Sequence, residues 1–126
     1  MTIARTKEMD LRSSDYEFLT GLTDGSTTID SGEVTRLGTN TGFVLTDIAI
    51  STKYTFIVKA SQVKALKAGE AISAGDALFF DATNDVVTKT TATGLFPCGV
   101  AMETVLLGDT YVLMNFNGIA ATAVPA

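Results

Sequence analysis

Apolar positions recur in the same order in two stretches of this chain. Residues 42–59 and 99–116, 57 positions apart, align without a gap. Gly42 falls on Gly99 and Tyr54 on Tyr111. Between them Phe43/Val100, Val44/Ala101, Leu45/Met102, Ile48/Val105, Ile50/Leu107, Phe56/Leu113 and Ile57/Met114 coincide as apolar pairs. Each stretch reads as a strand, a break and a second strand, the pattern of a hairpin-built all-β unit. Neither stretch carries a catalytic constellation, so the repeat points to a scaffold.

Punctuation between residues 32 and 118 supports this reading. Breaks fall at 31–32, 38–42, 51–52, Gly69, 74–76, 84–85, 94–97, 108–109 and 117–118, mostly one strand-plus-turn apart. Gly and Asn tolerate the positive φ of tight turns, and Asp bonds its own backbone there. Residues 53–58 (KYTFIV), 77–81, 85–89 and 110–116 are rich in β-branched and aromatic types. Along 110–116, Tyr111, Leu113 and Asn115 share one face and Val112, Met114 and Phe116 the other. With both faces largely apolar, this strand is expected to be covered on both sides, the second by another chain.

Residues 60–68 (ASQVKALKA) are ambiguous. Ala, Lys and Leu before Gly69 suit a short helix, whereas a strand would turn Lys64 to solvent; a strand or extended edge is the reading adopted. Lys53, Lys59, Lys64 and Lys67 fall in fifteen residues without an acid. They read first as a solvated edge that resists self-association, and second as a basic patch for an acidic partner.

The first 31 residues are more polar. Phe18, Leu19, Leu22 and Ile29 are their main apolar anchors after Tyr16. Arg5, Lys7 and Arg12 cluster at the start, and 13–35 holds five acids and no base. This segment is either a frayed terminus or an extended arm that orders on a neighbouring subunit. In the second case Arg5, Lys7, Arg12, Phe18 and Leu19 are its candidate contacts with a partner or a neighbouring subunit. The division is therefore an arm (1–31), a β domain (32–118) and a tail (119–126).

Composition narrows the chemistry. The 126 residues suffice for one domain with a buried core, and nearly half are apolar. A net charge of −5 disfavours nucleic acid. The chain has no histidine, which removes the usual general base and the commonest metal ligand. Its one cysteine, Cys98, cannot close an intrachain disulfide or build a Cys-based zinc site, and reads as a small buried hydrophobe. There is no P-loop. Asp76, Asp81, Asn84 and Asp85 evoke calcium, but turn chemistry accounts for them and the loop spacing of a calcium site is missing. No cofactor, metal or enzymatic activity is expected. MTIARTKEMDLR has no apolar run of signal-peptide length, and nothing approaches the roughly 18 apolar residues of a membrane span. Synthesis in a cytoplasm is expected, without a membrane partner.

The ordered series Ala74-Gly75-Asp76, Leu78-Phe79-Phe80-Asp81, Val87-Thr88, Gly99-Val100-Ala101 and Gly108-Asp109-Thr110 resembles a family of small tailed-phage proteins, the capsid cement, decoration or head-fibre proteins. The likeness covers roughly residues 32–118, with Gly42-Phe43-Val44 echoing the later Gly-Val-Ala. Its motifs are structural; Gly75, Asp76, Gly99, Gly108 and Asp109 are read as turn residues. Some members carry a recombinase-like label, which the missing P-loop and acidic charge argue against here. The resemblance implies a β-barrel or sandwich on the outside of a bacteriophage head. It implies a homo-oligomer, usually a trimer, that cements neighbouring major capsid subunits. The alternative is a head-fibre module binding a host receptor or glycan; no Trp and three Tyr make a poor aromatic platform for it.

Overall fold

The computed structural model describes residues 9–12, 15–23, 25–26 and 28–125. Nine strands fill them: β1 (Met9–Leu11), β2 (Tyr16–Leu22), β3 (Val34–Leu37), β4 (Asn40–Phe43), β5 (Lys53–Leu66), β6 (Ala77–Asp81), β7 (Val86–Thr88), β8 (Phe96–Ala101) and β9 (Tyr111–Asn117). Among the described residues there is no helix, and the antiparallel sheet curls into a half-barrel. Its order is β3-β4-β5-β9-β8-β6-β7, with β1 and β2 also paired to β5.

β5 organises the molecule. Its β-branched and aromatic residues suit a pleated, covered surface. Residues 60–66 continue this strand, so the helical alternative fails. The segment is thus a strand as read, though an interior one and not an edge, because β1 and β9 flank it. Register slips between Glu17 and Phe18 against β2 and between Ala60 and Val63 against β9 mark two bulges. At the second, Gln62 takes φ 54°, the left-handed region that a bulged residue can occupy. Bulges bend a 14-residue strand and re-aim its side chains. Tyr54, Phe56 and Val58 therefore pack with Ile29 and Val44, while Ile57, Ala60, Val63 and Ala65 join the main core. In that core Phe43 meets Phe116 edge to face, centroids 5.4 Å apart.

The repeat proves longer than the sequence showed. In the first unit Ile29 and Ile48 exchange both backbone hydrogen bonds (3.1 and 2.7 Å); in the second, Ile72 and Val105 do the same (3.1 and 2.8 Å). Gly32 N donates to Val44 O at 2.7 Å, and Gly75 N to Ala101 O at 2.9 Å. Ser31 N donates to the Asp47 carboxylate, and Ala74 N to the Thr104 hydroxyl. Val34 pairs with Phe43 as Ala77 does with Val100. The spacing is 43 upstream (Ile29 to Ile72) and 57 downstream (Ile48 to Val105), so the second unit carries 57 − 43 = 14 extra residues, which accommodate β7. β5 serves twice: its first half answers to β9, and its second half answers to β2.

Of residues 1–31, β1 and β2 are built into this sheet. β1 pairs with 63–65 of β5, and Met9 is buried in the main core. β2 lies along 53–60, where Gly21 admits the Tyr54 ring across the strand pair.

On β9, Val112, Met114 and Phe116 are buried as expected. The opposite face is covered only in part: Asn115 is exposed, while Tyr111 and Leu113 are half-buried. Lys64 Nζ stands 4.7 Å from the Tyr111 ring centre.

Candidate capsid-binding surface

The β framework leaves large apolar side chains outside in two zones. The first is β2. Tyr16, Phe18, Leu19 and Leu22 are 40%, 55%, 39% and 66% exposed, with Ile119 nearby at 46%. Tyr16, Phe18, Leu19, Asn40, Val58 and Ile119 line a shallow groove. Cross-strand pairing to Ile57 and Phe56 fixes Phe18 and Leu19. Among the described residues β2 pairs only with β5.

The second is a pair of loops at opposite ends of β5, one preceding β5 and one preceding β9. Leu45 and Ile50 stand out from the first loop, and Met102, Leu106 and Leu107 from the second. Aspartates shape the turns here and at 73–76. Asp109 accepts Leu106 N at 2.8 Å, and Asp76 accepts Ser73 N at 2.8 Å. Gly75 and Gly108 stand in the same turns.

Gly99 is a correction: it lies inside β8, not in a turn. Its φ is +143°, and a Cβ there would overlap the Asn115 carbonyl oxygen. Gly42, its partner in the repeat, likewise admits the Ile57 carbonyl. Both glycines let one strand press against the last strand of their own unit.

Arg5 and Lys7 lie outside the described residues. Arg12 is exposed beyond β1, its N–H bonded to Gln62 O at 2.9 Å. It is therefore placed near β5, whereas Phe18 and Leu19 sit on β2.

The four lysines do not act alike. Lys53 and Lys59 are exposed, and Lys64 lies over Tyr111. Lys67, expected on a solvated edge, is 6% exposed. Its ammonium donates to the carbonyls of Ala68 (3.0 Å), Glu70 (2.6 Å) and Leu107 (3.4 Å). No sequence periodicity marks this role, because the acceptors are backbone carbonyls, two close by in the chain and one from a loop forty residues away. Lys67→Met keeps the apolar stem but orphans those carbonyls. It should cost about 1–2 kcal/mol, read as a lower urea midpoint at unchanged slope.

Other polar groups cap loops. Burial works against the Glu70 charge, but hydrogen bonds from the Thr88 hydroxyl, Lys89 N and the Thr90 hydroxyl, with the Lys89 charge, hold its pKa below the usual range. Asp81 is held low chiefly by the Asn84 amide at 2.8 Å, and closes the 81–86 turn. Asp76 lies at the other end of β6, so the acids considered for calcium do not converge. Among the described residues no three Cys, Asp or Glu side chains group to hold an ion.

Cys98 is fully buried. Burial pushes its thiol pKa far up, and Sγ lies 3.5 Å from Leu78 O. Cys98→Ser should preserve assembly and lose about 1 kcal/mol, since the hydroxyl can bond the same carbonyl. Thermal melting and light scattering check both points.

These features define a class: an all-β scaffold that exposes large apolar side chains on β2 and on the loops preceding β5 and β9. The chain belongs to the phage cement protein family, whose model matches residues 15–116. The match begins at residue 15, directly ahead of β2 and upstream of the boundary at 32 drawn from the sequence. Searches of curated proteins and of solved structures return no match. The family is structural, and membership gives the chain a role associated with the phage capsid.

Proposed function

We propose that this protein cements neighbouring major capsid subunits from the outer surface of a bacteriophage head, after synthesis in the host cytoplasm. The observation that carries the reading is apolar surface displayed in two separate zones of one rigid sheet. Exposed apolar groups at such a density serve protein contacts. One zone joins copies of the chain and the other meets the capsid. β2, which pairs only with β5 among the described residues and carries four exposed apolar side chains, is suited to contacts between copies, which we take to form a trimer without disulfides. Several weak contacts closed at once then hold the oligomer on the lattice. Arg5, Lys7 and Arg12 add salt-sensitive attraction to carboxylates on a neighbour, about 0.2–1 kcal/mol for each exposed pair.

Purified protein mixed with undecorated heads should co-sediment at a fixed ratio to the capsid protein, and light scattering at tens of micromolar should give a trimer mass. No co-sedimentation would sink the cement reading. Tyr16 and Phe18, ring centres 6.3 Å apart on the surface, are the pair that a receptor- or glycan-binding module would use. Binding to host cells but not to heads would establish that second reading.

A further inference from the structure

The repeat places the same apolar loop at two ends of the molecule. The first loop enters β5 at Lys53. The second enters β9 at Tyr111, whose partner across the ladder is Leu66, the last residue of β5. The loops therefore lie at opposite ends of a 14-residue strand, at most roughly 45 Å apart at about 3.3 Å per residue. Their exposed side chains occupy equivalent positions: Leu45 and Met102 are 39% and 41% exposed, Ile50 and Leu107 47% and 65%. Each loop's backbone is held by the same reciprocal bond pair, Ile29 with Ile48 and Ile72 with Val105. Ile50 and Leu107 each open the turn that leads into the following strand.

Charge is also shared. The only charged residue between Gly42 and Thr52 is Asp47, and those between Gly99 and Thr110 are Glu103 and Asp109. Neither loop carries a base of its own; Lys53 follows the first in β5, and the Lys67 ammonium, itself buried, reaches the second at the Leu107 carbonyl. The complement is an apolar recess rimmed by Lys or Arg.

From this placement we infer that each chain is a bivalent clamp, whose two loops seat in two copies of the same basic-rimmed apolar recess on adjacent capsid subunits. A duplicated contact element fits a partner that is itself repeated, as a lattice of identical subunits is. The inference rests on the cement reading and adds which residues make the contact and how many sites one chain spans. Two weak contacts on one rigid body raise avidity far above either alone, provided that the spacing lets both engage.

The test compares the full chain with Ile50→Asp, Leu107→Asp and the double variant for binding to undecorated heads. Both positions are exposed, so folding should survive, and thermal melting checks this. Each single variant should lower apparent affinity at least 10-fold and the double 100-fold or more, as loss of bivalency requires. Raised salt should weaken the wild type, because the rim contacts are charged. Equal binding by the double variant and the wild type overturns the inference and leaves the cement reading standing. So does loss of binding in one single variant with no change in the other, which would show one contact per chain. Single variants that fall to monomers in light scattering also overturn it, since the loops would then join copies of the chain. Failure of the wild type to bind heads removes the cement reading itself.

Discussion

Gly99→Ala should cost at least about 3 kcal/mol of folding stability, a large share of the roughly 5–15 kcal/mol a domain possesses. Two causes add. The backbone at Gly99 has φ +143°, which side-chain-bearing residues rarely adopt, and a methyl there meets the Asn115 carbonyl oxygen, a backbone atom that cannot swing aside. Relief would require β8 to part from β9, a pairing the second unit depends on. Gly42→Ala meets the Ile57 carbonyl in the same way without the φ penalty, and should fall next. Gly75→Ala has open space but φ +93°, so about 1 kcal/mol is expected. Gly108→Ala meets nothing within 4 Å and should change stability by less than about 0.5 kcal/mol. Urea unfolding of the four variants should rank them in that order. Equal losses at Gly99 and Gly108 would show that β8 and β9 do not press together as described.

That ranking separates what the sequence could say from what it could not. Gly42 and Gly99 stood out as identical anchors of the repeat, but nothing in their neighbours distinguished a close strand approach from a turn. The repeat itself was legible only over its second half. Upstream, Ile29-Asp-Ser-Gly-Glu33 and Ile72-Ser-Ala-Gly-Asp76 carry a visible echo, yet their 43-residue offset conflicts with the 57-residue offset downstream. The insertion around β7 breaks any gapless alignment between them. The strands with strong β-type residues, β5, β6 and β9, were legible because packing and propensity agree there. The doubled role of β5 was not, since bulges shift its alternation midway. Lys67 was misplaced because its partners are carbonyls, which leave no trace in residue type. β2 hid for the opposite reason: its apolar side chains point outward, so burial imposes no pattern on them. The candidate surface was legible to the same limited degree. Phe18 and Leu19 stand out in the sequence as apolar residues in a polar stretch, whereas Leu45, Ile50, Met102 and Leu107 figure there only as coinciding apolar positions of the repeat.

Met9→Ala should cost about 2–4 kcal/mol, although the residue lies in the polar segment that the sequence suggested as an arm. Met9 is 1% exposed and packs in the main core with Phe43, Val63 and Ile72. Its backbone N–H donates to Gly32 O at 3.1 Å, and the residue pairs with Ala65 across β5. Truncation leaves a cavity facing both units of the repeat, and the surrounding strands, tied by ladders on either side, can close it only in part. Phe18→Ala makes the informative contrast. Phe18 is 55% exposed, so it should lose little stability, about 0.5 kcal/mol, while weakening contacts between copies of the chain. Urea unfolding and light scattering on both variants separate a residue that holds the fold from one that holds the assembly. If Met9→Ala unfolds at the wild-type midpoint, β1 adds nothing to the domain and behaves as the separable arm its composition suggests. A loss in the expected range makes β1 part of the domain, and any arm that reaches a neighbour must then begin before it.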